Sequence, residues 1–181
     1  MLSAARPLRR ALWRALWPLA LLASAASTAG AQEPSEYRLK AAFLYNFVLF
    51  TEWPAEVGGT INLCIYGHDP FGPEIEVLQG KTVSGRRIVV LRRPVNSAIK
   101  SCQVVFIASS AIPALPRVLE EVRDSPVLTV ADSPGAARQG VALNMAVTQD
   151  KITFEANLQA ARAARLNLSS KLMRLATEVQ Q

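Results

Sequence analysis

Four short apolar runs, spaced so that each is separated from the next by a polar connection, constrain this chain most. Ile61, Leu63 and Ile65 alternate with Asn62, Cys64 and Tyr66, and Gly67 closes that run. Residues 87–91 (RIVVL), 103–108 (QVVFIA) and 126–130 (PVLTV) follow. Each has strand length and is rich in Val and Ile, which suit a pleated surface. Near-continuous apolar strands belong to a sheet buried on both faces, with short helices in the connections. Residues 141–147 (VALNMAV) and 151–155 (KITFE) flank Thr148, Gln149 and Asp150 and predict an antiparallel hairpin near the C-terminus. The expected fold class is therefore α/β: one domain, a mixed and mostly parallel sheet with helices on both faces, and that hairpin added at one end.

The helices have their own signals. Ser35 precedes Glu36 as an N-cap. Leu39, Phe43, Phe47 and Phe50 then recur at helical spacing, with Leu44 and Val48 widening the apolar face. Trp53-Pro54 sets the limit, because a residue before proline is pushed out of the α region. Asp69 is placed to cap a short helix over 70–78, and Ser109-Ser110 to open one reaching Arg123. Leu158, Ala161 and Ala164 share one helix side after Asn157. A last helix is expected after Ser169 or Ser170, with Leu172, Leu175, Ala176 and Val179 on one face.

The first 31 residues read as a signal for export rather than as part of the fold. Arg6, Arg9, Arg10 and Arg14 make a basic start, and an apolar run of about 12 residues follows, short of the ~20 that span a bilayer. Ala29-Gly30-Ala31 closes it as an A-x-A cleavage site. The mature domain then spans 32–181. Removing four of the 20 Lys and Arg leaves sixteen against 14 acidic residues, a net charge of +2. The basic character of the whole chain thus lies partly in the leader; of the clustered Lys and Arg that a nucleic-acid footprint needs, only Arg86-Arg87 with Arg92-Arg93 comes close, and the export signal argues against a nucleic-acid partner. Export places Cys64 and Cys102 in an oxidising compartment, where the pair reads either as a disulfide or as two buried thiols. Two cysteines and one histidine exclude a structural zinc site of four Cys and His ligands, and nothing in the sequence calls for a cofactor.

Chemistry is sparse. No G-x-G-x-x-G follows a strand, and there is neither a P-loop nor a G-x-S-x-G elbow. His68 follows the first strand, at the edge where open α/β sheets bind ligands. Ser109 and Asp132 stand in equivalent places after the third and fourth strands. The three make a candidate ligand edge, against a plain reading of turn and cap residues. Glu155 and Asn157 flank the corner from strand to helix, with Arg162 and Arg165 beyond it as surface charges.

Several stretches together resemble the YfiR family. They are residues 36–47 (EYRLKAAFLYNF) closed by Glu52-Trp53-Pro54, and residues 61–65 leading to Gly67 and Asp69-Pro70-Phe71. Residues 127–132 (VLTVAD) follow, then 152–157 (ITFEAN) with Leu166 and 168–172 (LSSKL). The resemblance implies a periplasmic, dimeric, non-catalytic protein. It implies binding to the periplasmic sensor part of an inner-membrane diguanylate cyclase of the YfiN type, holding it off and keeping cyclic di-GMP low. It also implies that Cys64 and Cys102 form the family's early bridge; a second pair found late in some relatives is absent. Gln139-Gly140 stands where relatives favour Gly-Gly, and Arg165 where they place Gly. On this reading Glu155, Asn157 and Arg162 mark the partner surface. The alternative is a periplasmic small-molecule-binding module using His68, Ser109 and Asp132.

Overall fold

The structure is a computed structural model and describes residues 35–181; the expected export signal and its cleavage site lie outside the described residues. Helix α1 (Glu36–Leu49) starts where Ser35 Oγ accepts the Arg38 N–H at 3.3 Å. Strands β1 (Thr51–Glu52) and β2 (Thr60–Tyr66) follow, then a 3₁₀ segment Gly72–Leu78 and strands β3 (Thr82–Val83) and β4 (Arg86–Arg93). Next come β5 (Val104–Ile107), a 3₁₀ segment Ser109–Ala114, α2 (Leu115–Glu121) and β6 (Leu128–Ala131). The hairpin is β7 (Leu143–Thr148) and β8 (Lys151–Asn157), and the chain ends with α3 (Leu158–Ala163), β9 (Asn167–Leu168), α4 (Ser170–Met173) and β10 (Glu178–Gln180).

The described residues form an eight-stranded sheet ordered β10-β8-β7-β6-β5-β2-β4-β3, and a small ladder of β1 with β9. β4, β2, β5, β6 and β7 run parallel, whereas β3 is antiparallel to β4 and β8 to β7. β10 lies parallel to β8 at the far edge. No helix of the described residues is long and apolar enough to cross a membrane.

Strand alternation splits the core in two. Ile61, Leu63 and Ile65 of β2, Val104 and Phe106 of β5 and Leu128 and Val130 of β6 face α1. Phe47 of α1 meets Phe154 of β8 edge-on at 5.1 Å. Cys64, Tyr66, Val105 and Ile107 face the other way, against Leu115 and Val118 of α2. Both layers exclude water, which is why these strands read as continuous apolar runs. In the second layer Cys64 and Cys102 form a disulfide with Cα atoms 5.9 Å apart. The hairpin turns on Gln149 (φ 48°) and Asp150 (φ 59°), the paired left-handed residues that match the twist of the flanking strands. Gly67 (φ +104°) lets the end of β2 lie against the segment after β5; a Cβ there would come 2.8 Å from Ser110 Oγ and 2.9 Å from the Ala111 Cβ.

Two expectations need correction. The buried face of α1 is Lys40, Ala41, Leu44, Phe47 and Val48, while Leu39 is 37% exposed. The apolar stripe is rotated because the helix packs through its small alanine and its buried lysine. The final helix is a single turn, capped by Ser169, and Leu175 is 67% exposed. The chain beyond it becomes β10, because β8 leaves an open edge: Thr177 N–H donates to Phe154 O at 2.8 Å and the ladder continues from there.

Candidate functional site

The residues singled out from the sequence fall in two places. His68, Ser109 and Asp132 follow β2, β5 and β6, which are neighbours, so all three stand on one edge of the sheet. Their side chains make no hydrogen bond to one another. Asp132 turns instead to α1. Its Oδ2 accepts from Lys40 Nζ at 2.7 Å and from the Tyr37 hydroxyl at 3.2 Å. Lys40 also reaches Glu36 Oε1 at 2.5 Å and lies 4.5 Å from the centre of the Tyr37 ring. Both side chains of the Lys40–Asp132 pair are 4% exposed. Burial pulls the Lys40 ammonium down, but its hydrogen bonds to Asp132 and Glu36 and the Asp132 charge outweigh that, so its pKa stands above the usual lysine value. Burial first, and then the Asp132 carboxylate, raise the Tyr37 phenol. This cluster pins the start of α1 to the end of β6. His68 is exposed, and its N–H donates to Ser110 Oγ at 2.9 Å.

The second place is the antiparallel end of the sheet. Glu155 and Asn157 point away from α1, on the face where no residue of β7, β8 or β10 joins the second core layer. Glu155 Oε2 accepts from Asn144 Nδ2 at 3.1 Å, and Asn144, 2% exposed, accepts the Ser133 N–H at 3.2 Å. Register sets Glu178 of β10 beside Glu155, and Gln180 beside Asn157. This polar face therefore carries two neighbouring carboxylates, and neither has a cationic partner among the described residues. Asn157 is fully engaged: Oδ1 caps α3 by accepting the Ala160 N–H at 2.9 Å, and Nδ2 donates to Ala137 O at 2.9 Å. Asn157→Ala should cost about 1 kcal/mol through the lost cap, read as a lower urea midpoint with an unchanged slope.

Arg162 lies apart from Glu155, on α3. It lines a groove of about 710 Å³ with Glu52, Leu158, Leu166, Asn167 and Arg174. Arg165 closes a neighbouring depression and pairs with Glu56 at 2.6 Å. Its φ of +56° explains why glycine suits this position better. A further groove of about 380 Å³ opens between α2 and α3, with Asn157 on its rim and Leu119, Val122, Val127 and Thr129 among its lining. Sequence reasoning missed Lys40 and Asn144. A lysine at a core position of α1 and an asparagine amid VALNMAV were the available signals. Among the described residues no group of three His, Cys, Asp or Glu side chains could hold a metal ion.

Comparison with known proteins adds three findings. The family described as YfiR/HmsC-like matches residues 37–177. No curated protein matches. A crystal structure of a conserved domain protein from Vibrio cholerae O1 biovar El Tor superposes with a TM-score of 0.54 at 7% identity. That alignment takes in 80% of this chain and 60% of the other, so the likeness is one of fold.

Proposed function

This chain belongs to the YfiR/HmsC-like family, and from that membership we propose a periplasmic, non-catalytic regulator that binds the periplasmic sensor part of an inner-membrane diguanylate cyclase and lowers cyclic di-GMP output. Residues 1–31 direct export and are removed, and the domain 32–181 acts as a homodimer. Family membership carries the reading. The surface that supports it is the polar face of β8 and β10, where Glu155 and Glu178 stand side by side with no cation of their own. A basic patch on a sensor domain would complete it, and charge complementarity of this kind sets partner choice and encounter rate. Inhibition then needs no chemistry: tighter binding to the inactive conformation shifts the cyclase population.

The test is capture. The purified protein, used as bait against membrane extract from its own source, should retain a diguanylate cyclase, and Glu155→Lys should lose it while keeping the parent's unfolding midpoint. A bait that retains no cyclase would overturn the reading.

A further inference from the structure

One corner of the sheet gathers several hydrogen-bond donors, one of them shielded from solvent and without an acceptor. β2 ends at Tyr66 and β4 at Arg93, and the two are partners in parallel register, so their side chains leave the same face, the one α2 covers. Tyr66 is 0% exposed. Its hydroxyl oxygen accepts the Asn96 N–H at 3.0 Å and a bond from Arg117 Nη2. Both of these partners are donors, so the phenolic proton is left to be given to a further acceptor. No acceptor among the described residues takes it. Arg93 Nε is likewise shielded from solvent and unpartnered. Arg117 Nη1 donates to Asn96 Oδ1 at 2.6 Å, which holds its guanidinium beside the tyrosine.

The charges point the same way. Arg92, on the opposite face of β4, is paired with Asp69 at 2.7 Å and Glu76 at 2.8 Å. Arg93 and Arg117 have no carboxylate within salt-bridge reach among the described residues. Glu121, one turn along α2, is engaged with the Ile99 N–H at 2.9 Å. Buried donors are paired in nearly all folded proteins, so the orphan Arg93 Nε, on the strand next to Tyr66, marks a missing acceptor.

Topology supplies an independent argument. From β2 the chain moves to β4 on one side, and from β4 it crosses to β5 on the other. The order of strands therefore reverses at β2 and β5, and open α/β sheets take ligands outside the carboxyl ends of the strands at that point. Tyr66 is the carboxyl end of β2. Arg117 and Asn96 are exposed, which gives access from solvent.

We propose that this corner is an oxyanion site for a phosphate, either free or as a phosphomonoester. Its donors, the Tyr66 hydroxyl and the guanidiniums of Arg93 and Arg117, come from three elements, β2, β4 and α2. A tetrahedral oxyanion accepts from several directions, whereas a planar carboxylate matches a single guanidinium fork. The proposal stands apart from the regulator reading, because Glu155 and β10 lie at the other end of the sheet.

The experiment is a titration of the purified protein with inorganic phosphate, then with glycerol phosphate, at constant ionic strength. It follows the Arg93 Nε–H and Asn96 amide resonances. Both should shift saturably. Arg93→Gln and Arg117→Gln should each weaken binding by about tenfold, and Arg92→Gln should leave it unchanged. Tighter binding of the monoester would make the ligand organic, and equal binding would make it free phosphate. Absence of saturable shifts, or equal shifts from chloride, would overturn the site. Should a glutamine variant fail to fold, the Arg93 resonance in the unaltered protein still decides the matter.

Discussion

Replacing Lys40 with methionine will destabilise the fold by about 3–5 kcal/mol, the cost of leaving a buried carboxylate without its partner. Asp132 is 4% exposed and has only the Tyr37 hydroxyl left once the ammonium is gone. Glu36, half exposed, can turn to water and adds little. The double variant Lys40→Met, Asp132→Leu should recover most of the loss, because a packed apolar pair is often as stable as a buried ion pair. Urea unfolding at neutral pH measures both. A Lys40→Met loss under about 1 kcal/mol would mean that solvent reaches the pair. Alkali gives the same answer by titration. The Lys40 pKa is raised on folding, above the usual 10.5, and the Tyr37 pKa above 10.0. A group raised in the folded state contributes stability that is fully present below its unfolded pKa. That stability is lost as pH rises through the folded value. The wild-type protein should therefore lose stability from about pH 10 upward more steeply than Lys40→Met does.

Removing the disulfide should cost nearly as much. Cys64 and Cys102 are 38 residues apart, and closing a loop of that length removes unfolded-state entropy worth about 4 kcal/mol. The paired variant Cys64→Ala, Cys102→Ala should show that loss in equilibrium unfolding. Cys64 is 0% and Cys102 1% exposed. A thiol reductant added to the folded protein can thus reach the bond only through opening of the second core layer. Reduction should be slow in buffer and fast in denaturant. Equal rates in both would mean that the bond is open to solvent in the folded state.

What could be read from the sequence, and what could not, divides by distance along the chain. The strands 60–66, 104–107 and 128–131 announced themselves because both their faces are buried. The β7–β8 hairpin was legible because its turn and alternation are local. β10 was not. Leu172, Leu175, Ala176 and Val179 keep helical spacing, and only the open edge of β8, contributed some twenty residues earlier, makes 178–180 a strand. The β1–β9 ladder joins Thr51 to Leu168 and has no local mark at all. The candidate site suffered the same limit. Asp132 was found as a polar residue after a strand, but its partner Lys40 is 92 positions away on a helix. The Asn157 cap is by contrast local, since capping is a three-residue affair. Arg93 entered only as one of a basic pair and Arg117 not at all, because an arginine becomes unusual only when its neighbours are known to lack an acceptor.

The proposed role is restraint of a diguanylate cyclase by contact on the periplasmic side. The direct measurement is cyclic di-GMP synthesis by membrane vesicles carrying the source's cyclase, with the purified protein supplied to the periplasmic face. Synthesis should fall saturably as protein is added, and Glu155→Lys should abolish the fall. Synthesis that stays constant at every protein concentration would contradict it.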